Sequence, residues 1–196
     1  DKMLSEAYAT HAKAESVLGN YAEAIVLIEK ALTIDAKTGY RSGARLNLKA
    51  LIYMGLNRAT EAGATLTEAL KLNKSSDDGV ETANTLRLMG EVMTAAGEYK
   101  QAVEYYGAAL HLDRAAADFV KLTDDMERMA VVQSRLGNAS EAVFLLERLF
   151  RMYEDMGMKS EAGWALDAAI AESRAGGMVE KTMRLEGMKM TRTTGN

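Results

Sequence analysis

His11 and His111 are the only histidines in the 196 residues, and they stand 100 positions apart. General-base catalysis or metal binding would need such groups within hydrogen-bond or coordination reach of partners. Each falls in a different copy of a periodic pattern, so both are expected as isolated surface or groove side chains. The chain has no cysteine, which removes thiolate nucleophiles, iron–sulfur ligation and disulfides together. The stretch KSSDDG at 74–79 resembles the opening of a calcium loop, but Lys74 occupies the first ligand position and no glutamate follows at the required distance. Asp78 with Glu81 reads better as a helix cap. Phosphate-binding glycine loops, GxSxG elbows and HExxH motifs are missing from the sequence. The expectation is a non-enzymatic chain with no catalytic residue, no metal site and no cofactor.

The other chemically distinctive side chains read as packing and surface. Among the 13 methionines, Met89, Met93, Met126 and Met129 fall at helical spacing on apolar stripes, where a flexible thioether fills core gaps. Met178, Met183, Met188 and Met190 lie where a last helix has no successor to cover it, and are candidates for a self-association edge. Trp164, the single tryptophan, is expected to pack between helices. Lys181, Arg184, Lys189 and Arg192 are expected on a solvated helix face. A formal net charge of −4 supplies no general basic face, so nucleic acid is not an expected partner. No apolar run approaches the roughly 20 residues of a membrane-spanning helix. The chain starts with Asp and shows no signal peptide, so a segment of a larger or processed protein is one expectation. Its composition suits the cytosol, or the periplasm after signal removal.

Helices must position all of these groups. Proline is absent, strong helix formers dominate, and few segments alternate in the manner of a strand. The helices also repeat. Aligning Ala24, Ala62, Ala102, Ala142 and Thr182 gives spacings of 38, 40, 40 and 40. Five residues upstream of each stand Gly19, Asn57, Gly97, Gly137 and Gly177, types that tolerate the left-handed conformation ending a helix. Seven residues downstream stand Ala31, Ala69, Ala109 and Leu149. Asn20 with Glu23, and Asn138 with Glu141, have capping-box spacing. A second helix precedes each turn, with Leu46, Ala50 and Tyr53, or Leu86, Met89, Gly90 and Met93, on one side. Each unit is thus helix, tight turn, helix, and can bury its apolar stripe only against neighbouring units.

This pattern resembles the tetratricopeptide repeat. Leu86–Gly90–Met93 and Leu46–Ala50–Tyr53 match the large–small–large signature of that family's first helix, as does Tyr8 with Ala12. Gly19 with Tyr21 and Gly97 with Tyr99 match its turn. The family's period is about 34 residues; the longer period and missing proline here are similar to variants found in kinesin light chains and many bacterial regulators. Turns such as AKTG (36–39) and KSSDDG are expected to replace the proline. The resemblance implies an all-α, right-handed α-solenoid of stacked antiparallel helix pairs. Four full repeats (4–36, 41–74, 79–115, 120–155) and a divergent fifth (159–190) would form one domain over 1–196, with a frayed tail at 191–196.

The resemblance also implies a concave groove, lined by the first helix of each repeat, that binds a peptide or protein segment. Carried over position by position, the groove candidates are Lys13, Asn47, Asn84, Arg87, Glu91, Asp124, Glu127, Val131 and Asp167. Asparagine there can both donate to and accept from a peptide backbone. Only Lys13 is basic among the positions Ala9, Lys13, Leu48, Asn84 and Leu88, which disfavours a carboxylate clamp. Acidic Asp124 and Glu127 favour a partner with some basic character. The function expected is a protein-interaction adaptor or scaffold. The alternatives are a regulatory or sensory segment of a larger protein and a scaffold that self-assembles into a homo-oligomer through its C-terminal edge.

Overall fold

The computed structural model describes residues 1–194, with side chains through Arg192. Among them are ten α-helices and no strand: α1 (Lys2–Val17), α2 (Tyr21–Thr38), α3 (Gly43–Gly55), α4 (Ala59–Ser75), α5 (Gly79–Ala95), α6 (Tyr99–Ala115), α7 (Phe119–Arg135), α8 (Ala139–Asp155), α9 (Lys159–Ala175) and α10 (Val179–Thr194). They fall into two compact units, Asp1–Ala96 and Gly97–Asn196. The division lies at the turn inside the third expected hairpin. Helix α10 continues through Thr194 where a frayed tail from 191 is expected, and residues 195–196 lie outside the described residues.

In the first unit α1 packs on α2, α2 on α3, α3 on α4 and α4 on α5, with α1 also touching α3 and α3 touching α5. The second unit follows the same rule from α6 to α10. The recurrent small residues explain the stacking. Ala24, Ala62, Ala102 and Ala142, and the seven-later Ala31, Ala69, Ala109 and Leu149, are all 0% exposed. The methyl groups of the alanines at these sites let adjoining backbones approach, and the larger Ile28, Leu66, Met126 and Leu166 fill the space between rows. Fully burying a side chain of that size contributes about 1.5–3 kcal/mol.

The turns carry the expected backbone signature. Gly19, Asn57, Gly97, Gly137 and Gly177 have φ between 58° and 82°. A second series, Gly39, Asp77, Ala117 and Gly157, recurs between repeats with positive φ as well. In that series Gly39 and Asp77 fall in the stretches AKTG and KSSDDG read as turns from sequence, but α2 extends through Thr38, so most of AKTG is helical. Asp78 does cap α5, accepting from the Glu81 amide at 3.0 Å. The capping-box reading fails at Asn20 and Asn138. Neither side chain caps its helix; their amides reach back to Glu15 (2.7 Å) and Gln133 (2.8 Å) on the preceding helix. A nearby side-chain acceptor on the previous turn competes with the cap, and the backbone carbonyls of both asparagines receive the first helical amides instead.

Helix α10 is held differently from the others. Among its described side chains Thr182 and Leu185 are buried, and Ser173 and Thr182 share a hydrogen bond of 2.8 Å. Ion pairs supply much of the remainder: Lys181 and Arg184 converge on the buried Glu147 of α8, Lys189 meets Asp167 at 2.6 Å, and Arg192 meets Glu154 at 2.9 Å. The basic C-terminal residues are therefore engaged within the unit. Met178 and Met188 pack onto the apolar cluster of the second unit, whereas Met183 and Met190 are exposed. Only part of the expected methionine edge is outward-facing: Met178, just before α10, and Met188, on it, are turned to the core.

Candidate functional site

The first helices α1, α3 and α5 of the first unit enclose an open groove of about 710 Å³. Its floor is apolar, with Ala9, Leu48, Leu51 and Leu88, and its walls carry Glu6, Lys13, Arg45, Asn47, Glu81 and Asn84. Two polar networks fix these walls, and both begin at the same repeat position near the C-terminal end of the second helix of a pair.

Asp35 of α2 is the origin of the first network. Its carboxylate accepts from Ser5 of α1 and from Arg45 of α3, and Arg45 also pairs with Glu6. The Tyr40 ring lies 5.0 Å from the guanidinium and 5.8 Å from Lys2. Burial opposes the charge on Arg45, but the hydrogen bonds to Asp35 and Glu6 outweigh it and raise its pKa above the ordinary arginine value. Asn73 of α4 occupies the equivalent position in the next repeat. Its amide donates to Thr85 (2.9 Å), and the Thr85 hydroxyl donates to Asn47 (2.8 Å). The Asn47 amide in turn donates to Glu81 at 2.9 Å, and the Asn84 amide to the same carboxylate at 3.2 Å. Asn73 requires the glycine at position 43: a β-carbon there would stand 1.6 Å from its side-chain oxygen.

These networks decide the places of the sequence candidates. Lys13, Asn47 and Asn84 line the groove together. Asn47 is only 6% exposed, and both ends of its amide are engaged within the protein, so its structural role is to tie α3 to α5. Arg87 is buried and donates to Asn84 at 3.0 Å; Glu91 is half-buried on the same helix. In the second unit, Asp124 pairs with Arg128 (3.2 Å), Asp167 pairs with Lys189, and Val131 is exposed. Glu127 accepts from the Tyr153 hydroxyl. Trp164, expected between helices, is instead 47% exposed. It stands at the repeat position of Asn84 and Asp124, which faces away from the partner helix. Arg45, Glu6, Tyr40 and Glu81 were not among the sequence candidates. The available signal was that polar residues recur at 45, 85 and 125 on a helix face that should be buried.

Tyr153 takes the repeat position of Asp35 and Asn73 in the second unit. Burial, with the hydrogen bond to Glu127, pushes its phenol from 10.0 up to about 12. A group whose folded pKa exceeds its unfolded value contributes stability that is complete below the unfolded value and is lost as pH rises through the folded one. The urea midpoint of the native chain, compared with Tyr153→Phe, is therefore expected to fall between pH 10 and about 12. A difference between the two proteins that stays constant over that range would contradict this origin of the shift. Among the described residues no group of three or more His, Asp or Glu is arranged to hold a metal ion, and no helix is long and apolar enough to cross a membrane.

Comparison with known proteins agrees with this architecture. Models described as tetratricopeptide repeat match residues 5–38 and 43–115. A Podosopora anserina kinesin-light-chain-type structure with nearly identical TPR-like repeats superposes with a TM-score of 0.79 at 17% identity, covering 95% of this chain and 93% of that one. BtubC from P. vanneervenii gives 0.81 at 16% identity, covering 100% and 82%. A Rap protein solved in complex with Competence and Sporulation Factor gives 0.67 at 14% identity, covering 94% and 52%. No curated protein matches the sequence significantly. At such identities the structures establish the fold alone, and the sequence models supply the family. The chain belongs to the tetratricopeptide repeat family.

Proposed function

We propose that this chain is a non-enzymatic interaction module and that the groove on α1, α3 and α5 binds an extended peptide segment of a protein partner. Tetratricopeptide repeats act in general as protein-interaction scaffolds, and the observation that supports the finer reading is the groove itself. An apolar floor between walls of amides and carboxylates suits a chain whose side chains alternate and whose backbone needs hydrogen-bond partners. The Rap structure, matched over 52% of its length, supports a related possibility, that such a module serves as one part of a larger regulatory protein. A second reading, self-association through α10, draws on the exposed Val179, Met183 and Met190, which share one helical stripe.

The peptide reading is tested with random peptides of about ten residues, selected on the full chain by phage display. Leu51 stands in the groove with 41% exposure, so Leu51→Glu leaves the fold intact. Selected peptides are expected to bind that variant at least about tenfold more weakly. Unchanged affinity would place their binding elsewhere and remove the groove assignment.

A further inference from the structure

The carboxylate of Glu81 is held firmly in the groove by groups that do not neutralise it. Its side-chain partners are the amides of Asn47, at 2.9 Å, and Asn84, at 3.2 Å. Both amides are themselves anchored, Asn47 by the hydroxyl of Thr85 at 2.8 Å and Asn84 by the guanidinium of Arg87 at 3.0 Å. Neither can turn away without breaking a second bond, so the carboxylate is preorganised. A carboxylate has about four lone-pair sites, and two amide bonds leave the rest available on the groove wall.

The other charges nearby are accounted for. Arg45 pairs with both Asp35 and Glu6, and Lys2 lies over Tyr40. Lys13 is on the same lining, but it stands near the C-terminal end of α1, whereas Glu81 is in the first turn of α5. Both ion pairs of Arg45 go to carboxylates other than Glu81, namely Glu6 and Asp35. Leu48 and Leu88 line the same groove and offer apolar surface to the methylene stem of a long cationic side chain.

We propose that Glu81 is the docking point for a basic side chain, lysine or arginine, of the extended peptide that occupies this groove. The inference rests on the peptide reading above and adds the chemistry of the partner. A cationic donor adds an opposite charge that the neutral amide donors around the carboxylate lack, so the cation sets register as well as affinity.

The test uses fluorescein-labelled pools of random peptides that differ only in a fixed central residue, lysine, norleucine or glutamate, titrated with the full chain at low salt and followed by anisotropy. The lysine pool is expected to bind about tenfold more tightly than the norleucine pool, with the glutamate pool weakest. Glu81→Gln is expected to abolish the lysine advantage and leave norleucine binding unchanged. Equal binding of all three pools would overturn the assignment of Glu81 while the peptide groove stands. Equal weakening of every pool by Glu81→Gln would show a structural role and overturn it too. Absence of binding by any pool would remove the groove reading together with this one.

Discussion

Replacing Asp35 by alanine is expected to cost about 3–5 kcal/mol of stability, because it leaves a buried guanidinium without its principal partner. The Arg45 side chain is 8% exposed; its remaining ion-pair partner, Glu6, is largely solvated. The two effects of a buried pair separate cleanly by mutation. Removing one member exposes the full desolvation cost of the other, whereas replacing both with apolar groups of similar volume is close to neutral. Asp35→Leu combined with Arg45→Met is therefore expected to recover most of the loss. Urea unfolding followed by circular dichroism measures both. A single substitution costing no more than a surface ion pair, below about 1 kcal/mol, would mean that this network does not hold α1, α2 and α3 together.

Met126→Ala is expected to destabilise the second unit by about 2–5 kcal/mol, through lost transfer energy and the cavity left behind. Met126 is 0% exposed and packs in the cluster that includes Leu122, Leu149 and Leu166. Met183, 67% exposed on α10, is expected to accept Glu within about 0.5 kcal/mol. Thermal or urea unfolding of the two variants compares one residue type on two faces. Similar losses for both would contradict the assignment of inward and outward methionines. Light scattering of Met183→Glu over a concentration series also checks the edge reading: if the native chain associates through this stripe, the variant loses that association.

The helix pairs, their period of about 40 residues and the small positions where they meet are legible in the residue spacing. These are local quantities. An apolar residue every third or fourth position implies a buried stripe, and an alanine recurring in register implies close approach. Buried Ala24, Ala62, Ala102 and Ala142 could be read from spacing because the row needs only absence of bulk. The left-handed Ala117 could not, because alanine carries no turn signal and its cost of about 1–2 kcal/mol is accepted only within the assembled turn.

Which polar side chains turn inward depends on the packing of neighbouring repeats. Asn47 and Arg45 lie two positions apart on α3. Their orientation is set by Asp35, Thr85 and Glu81, residues 10 to 38 positions away in sequence. The same holds for Asn20 and Asn138, whose amides found acceptors on the preceding helix, and for Trp164, left nearly half exposed. A helical wheel gives the direction of each side chain but not what stands opposite. For a polar group, the free energy depends on the partner that removal from water leaves it with, and that partner is supplied only when neighbouring repeats stack.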